Sequence, residues 1–234
     1  MPRSHKAALI ALGLAALGVV CVPGVLEAHG VSSKDAAFVA TVTGPLPIPF
    51  AYLGAKHMVT GYDHLLFLVG VIFFLYRLGD VVKYVSLFTL GHSLTLLAGV
   101  LGDVKANSYL IDAIIGLSVV YKGFENIGGF QQVFGIRPDP RAAVLIFGLF
   151  HGFGLATKLQ DLALPANGLV TNLLGFNAGV EMGQGFALAG ILIALTYWRS
   201  RPSFARHAFA ANTLLIMGGF LLTGFQLAGY WVSR

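Results

Sequence analysis

Six long apolar runs constrain this chain more than any other feature. They lie at about residues 57–76, 84–102, 109–128, 142–158, 168–198 and 207–231. Each is near the ~20 residues that an α-helix needs to cross a ~30 Å hydrocarbon core. Lipid offers no hydrogen-bond partner to an open strand edge, so helix is the only sensible assignment. The expectation is an all-α, polytopic transmembrane helix bundle: six helices in one membrane domain, residues 56–234. Composition agrees, because only 11% of the residues are charged, against ~25% in ordinary soluble domains. The single cysteine, Cys21, excludes a disulfide framework and a thiolate metal cage. The net charge of +5 comes from basic residues scattered between apolar runs, and no nucleic-acid motif accompanies them.

Residues 1–28 read as a secretory signal peptide. Arg3 and Lys6 form its positive start, residues 7–22 its apolar stretch, and Ala28 ends a cleavage site. An uncleaved anchor helix is the alternative. Cleavage would leave His29 as the new N-terminus, where amine and imidazole together can chelate a metal. Residues 29–55, with Pro45, Pro47 and Pro49, read as an external segment leading into the first helix. With residue 29 outside, the connectors expected to face the cytoplasm carry seven Lys or Arg and the external ones five. The bias has the sign of the positive-inside rule. It suggests a bacterial-type inner membrane, with the mature N-terminus periplasmic and the lipid bilayer as first partner.

Ionisable groups inside apolar runs are expensive and mark a partner or a site. The first run holds His57, Asp63 and His64; the second, His92 and Ser93; the third, Asp112, Lys122, Glu125 and Asn126. The fourth holds His151, and the fifth holds Asn177, Glu181 and Gln184. At 1.5 Å per residue, His92 lies ~14 Å beyond Lys83 and His151 ~15 Å beyond Arg141, both near mid-membrane. His64 and Glu181 fall in the same middle-to-outer layer. His57 is placed two turns above His64 on one helix face, and Asp63 is expected to point about 100° away from His64. Three imidazoles and a carboxylate from four helices suit a borderline divalent ion such as nickel, cobalt or zinc. The structural alternative is that each histidine only hydrogen-bonds a neighbouring helix. Asn177 and Gln184 flank Glu181 as ligands or as orienters of a histidine. Lys122 and Glu125, three residues apart, read as a local ion pair or as part of a cytoplasmic exit.

His57-Met-Val-Thr-Gly61-Tyr-Asp63-His64 has the form His-x5-Asp-His in a first mature helix. It resembles the signature of the HupE/UreJ family. The stretches Phe88-Thr-Leu-Gly-His92-Ser93-Leu-Thr95-Leu, Phe147-Gly-Leu-Phe-His151-Gly152 and Phe176-Asn177-x3-Glu181-x2-Gln184 look like that family too, particularly its second subgroup. The resemblance covers roughly residues 50–230. It implies a nickel or cobalt permease, with His57, Asp63 and His64 handling the metal. Two positions depart from the family pattern: Met58 stands where Pro is usual after the first His, and Leu68 where Met often follows the second.

Two functions are open at this stage. The first is a transport protein for nickel or cobalt. Its site would be His64, His92, His151 and Glu181, with Asp63 orienting or ligating and His57 capturing at the mouth. A homo-oligomer or a metal-delivery partner would be compatible. No Gly-x4-Gly-Lys-Ser/Thr motif is present, so direct ATP use is not indicated. The second is an intramembrane zinc-dependent hydrolase, with Glu181 or Asp63 as base and Ser93 positioning a substrate oxygen. An enzyme should open sideways to lipid at its metal. A transporter should carry polar groups such as Lys122, Glu125 or Asn126 on toward the cytoplasmic side.

Overall fold

The computed structural model describes residues 33–162, 164 and 166–233, and among these every regular element is a helix. The proposed signal segment and His29 lie outside the described residues. The elements are α1 (Ser33–Ala40), α2 (Pro47–Thr60), α3 (Tyr62–Ile72), α4 (Leu78–Leu101) and α5 (Ser108–Asn126). A π-helical segment, Phe130–Phe134, follows. Then come α6 (Pro140–Gln160), α7 (Leu169–Arg199) and α8 (Pro202–Val232).

Four of these helices, α4, α6, α7 and α8, are long and apolar enough to cross a membrane. Helix α5 is long enough, at 19 residues, but carries Asp112, Lys122 and Glu125. The first apolar run departs from the expected single helix. It begins earlier, at Pro47, inside the stretch read as external, where proline is tolerated in a first helical turn. It then breaks at Gly61, whose φ of −71° and ψ of 103° are extended. Val59, Thr60 and Gly61 are all poor helix formers, so the break costs little there. The halves have 14 and 11 residues, roughly 21 and 17 Å, and neither spans a bilayer alone. The fifth run is the continuous 31-residue α7.

The bundle is built from three glycine-mediated pairs. Pro47, Ala51 and Ala55 of α2 lie against Gly175, Gly179 and Gly183 of α7, in ascending order, so these helices run parallel. A methyl group on Gly183 would sit 2.6 Å from the Ala55 carbonyl oxygen. Phe88 and His92 of α4 face Gly148 and Gly152 of α6, again in parallel. Gly116 and Gly123 of α5 face Thr223 and Asn212 of α8, which is antiparallel. Small residues let the backbones approach, as membrane helices require where apolar side chains gain nothing by leaving lipid. These directions are those of alternating crossings in which α2 and α3 together make the first.

Helix α3 sits between the pairs, touching α2, α5, α7 and α8. Arg199 closes its far end. The guanidinium donates to the carbonyls of Ile72, Phe73 (2.7 Å) and Leu75 (3.0 Å) and lies over the Tyr76 ring. It thereby supplies donors to the carbonyls at and just beyond the α3 C-terminus. At the other end, Asn172 of α7 accepts from the Leu46 amide (2.5 Å) and donates to the Gly44 carbonyl (3.1 Å), pinning the entry to α2. Asp35 of α1 pairs with Lys56 at 2.7 Å.

Candidate metal centre

The break at Gly61 creates the site. Asp63 and His64 occupy the first turn of α3, where Cα–Cβ bonds lean back toward the helix N-terminus. No preceding turn fills that space, so both side chains fold over the break. This is why adjacent residues, expected to point ~100° apart, meet: Asp63 Oδ1 lies 3.0 Å from His64 Nδ1. Each is 1% exposed. Gly61 makes the room, since a methyl there would fall 2.8 Å from His64 Nδ1.

His151 completes the group from α6. One ligand atom from each of Asp63, His64 and His151 lies within 4.8 Å of the others. Tetrahedral coordination at ~2.1 Å sets ligand atoms about 3.4 Å apart, so modest side-chain rotation closes these three on one ion. His151 Nδ1 donates to the Phe147 carbonyl at 2.8 Å, because a carbonyl oxygen can only accept. That bond places the ring proton on Nδ1 and the ligating lone pair on Nε2. The Asp63 carboxylate does the same for His64.

Two further histidines adjoin this group. His57, in the last turn of α2, has its ring 5.1 Å from that of His64. It was expected two turns away, about 10 Å, at an external mouth; the break brings it alongside instead. His92 is 1% exposed, its ring is 6.2 Å from that of His64, and its Nε2 has no hydrogen-bond partner. The His92 carbonyl lies against Gly152, one residue after His151, which sets the spacing of these two histidines.

Glu181 does not join. It is exposed on α7 and accepts a hydrogen bond from Asn177 Nδ2 at 3.2 Å. It shares the depth expected for it but not the cavity, because the face of α7 bearing Gly179 and Gly183 is the one that packs inward. With Ser93, Thr89, Ser86 and Gln184 it lines a groove of about 430 Å³ between α4 and α7. Gln184 accepts from the Thr89 hydroxyl at 3.2 Å.

Below the histidines the polar groups continue along α3. Lys122 and Glu125 form the expected local ion pair, at 2.9 Å. Asn126 donates to the Gly70 carbonyl and to Asn212 Oδ1, each at 2.8 Å. Asp112 forms a 2.7 Å ion pair with Lys158 of α6. Asn212 went unread in the sequence, although an Asn inside the sixth apolar run was a signal for it, and Lys158 entered there only as one of the five external basic residues.

Fold and site define a polytopic helical membrane protein with a buried histidine–carboxylate centre. A family model described as HupE / UreJ protein matches residues 33–234, and the chain belongs to that family. No curated protein and no solved structure matches it.

Proposed function

We propose that this protein carries a divalent transition metal, nickel or cobalt, across a bacterial-type inner membrane, entering from the periplasmic side. The observation that carries the reading is the convergence of Asp63, His64 and His151 at a helix break. Broken helices that bring polar groups to mid-membrane are a recurring way to build an ion site in transporters. The donor set is neutral imidazole plus one carboxylate, which suits these borderline ions better than calcium or magnesium. His57 and His92 stand close enough to hand the ion in and on. The family points the same way. In this reading residues 1–28 are removed, and residues 56–234 form the transport domain.

A layer of aromatic rings closes the site from the inner side. Phe67 packs on Phe88, Phe147 and His151, with ring centroids 5.3, 5.9 and 5.1 Å away. Beyond it along α3 come Gly70 and the Lys122, Glu125, Asn126 and Asn212 group. The path thus runs polar, aromatic, polar, as an occluded route would. A membrane potential of 100 mV, inside negative, favours inward movement of a doubly charged ion by about 4.6 kcal/mol. The zinc hydrolase alternative needs the metal and the lateral opening to coincide. The groove at Ser93 and Glu181 shares no residue with the Asp63, His64 and His151 group.

Purified protein in liposomes tests the proposal. Nickel or cobalt uptake should exceed that of the His64→Ala plus His151→Ala variant at least tenfold. Equal rates would refute transport through this site.

A further inference from the structure

The outward face of α7 presents a polar problem that the metal centre does not solve. Glu181 is the 13th residue of a 31-residue apolar helix, about 18 Å from its start, so it sits deep in the bilayer. Yet it is exposed, and lipid tails cannot hydrogen-bond a carboxyl group. Beside it, Gln184 is 2% exposed, lines the groove, and leaves its Nε2 without a partner. Ser93 Oγ, across the groove on α4, also has none. A carboxyl group on the surface of α7 therefore stands beside a groove whose lining holds a buried amide donor and a buried hydroxyl.

The same face of α7 is shaped for a helix. Gly185 and Ala189, four residues apart, are both exposed, and a methyl on Gly185 would meet nothing within 4 Å. Small residues at this spacing let membrane helices approach closely. Next to them Met182 and Phe186 project, 52% and 76% exposed, beside a groove large enough to receive such side chains.

We propose that this face is a two-fold interface with a second copy of the chain, α7 against α7, in which each Glu181 enters the α4–α7 groove of the other copy. A two-fold axis along the membrane normal keeps both copies in one orientation. It also requires a self-complementary patch, where each surface supplies knob and hole, donor and acceptor. Phe186 supplies the knob and Glu181 the acceptor on the exposed face, and the groove supplies the hole with Gln184 and Ser93 as the donors inside it. Lipid supplies neither donor nor acceptor at that depth. The inference does not rest on metal transport, and each can fail without the other.

Cross-linking in membranes tests it. In a Cys21→Ser background, Gly185→Cys should give a covalent dimer with a short bis-maleimide, and Phe220→Cys, equally outward on α8, should not. Counting of labelled chains in lipid-diluted vesicles should show pairs of the wild-type protein. Glu181→Leu should lower the association constant roughly threefold to thirtyfold, the range that hydrogen bonds between membrane helices give, and Glu181→Gln by less. Single chains of wild type at every dilution, equal cross-linking at 185 and 220, or cross-linking of 185 only to another protein would each overturn the proposal.

Discussion

Asp63 Oδ1 and His64 Nδ1 lie 3.0 Å apart inside the bundle, adjacent in sequence in the first turn after a helix break. The carboxylate accepts from Nδ1 and so leaves the Nε2 lone pair of His64 for a metal. Orienting partners of this kind typically contribute 10- to 100-fold in metal affinity. Asp63→Asn should therefore weaken nickel binding by about that factor while the protein stays folded. Calorimetric titration of the purified variant measures it, and a loss under threefold would remove Asp63 from the site.

Gly61→Ala reads the break directly. The added methyl falls 2.8 Å from His64 Nδ1 and 3.2 Å from Asp63 Oδ1, so the His64 ring must shift. Nickel affinity should drop, with helical content by circular dichroism unchanged. Unaltered binding would mean that the close fit at Gly61 plays no part in positioning His64.

Phe67→Ala opens the aromatic layer beneath the histidines. Removing a fully buried Phe costs about 3–5 kcal/mol in stability, so a lower melting temperature is expected. Nickel affinity should persist, because Phe67 donates no ligand. Uptake into liposomes should become faster or less selective among divalent ions. Slower uptake with normal binding would show that the ring is not the barrier.

Asp112 and Lys158 bridge α5 and α6 at 2.7 Å, with side chains 5% and 14% exposed. Removing one partner of a buried pair strands the other, typically at about 3–5 kcal/mol. Asp112→Asn should lower the melting temperature, and adding Lys158→Met should restore much of it. Additive losses would show that the two residues do not depend on each other.

Metal and protons compete for the same imidazole nitrogens, so nickel affinity should fall in acid. The fall should be shallower in His151→Ala than in the wild type, since one competing site is gone. Titrations across pH on both proteins check this.

Much of this architecture was legible in the chain. Run length gave helices, and the four ordered motifs around His64, His92, His151 and Glu181 gave the family, since both depend on local composition and spacing. Depth arithmetic also placed His64, His92 and His151 correctly as neighbours, because 1.5 Å per residue holds inside an unbroken helix. It failed for His57 because the helix is not continuous through Gly61. It failed for Glu181 because depth carries no information about which way a helix faces.

The amino-acid sequence by itself determined a membrane bundle and the kinds of ligand it could offer, because hydropathy and side-chain chemistry are properties of residues one at a time. Only the tertiary structure decided which of those ligands share a cavity. That choice was made by glycine contacts between distant helices, at Gly152 against His92 and at Gly179 against Ala51, which set each helix's rotation and so its inward face.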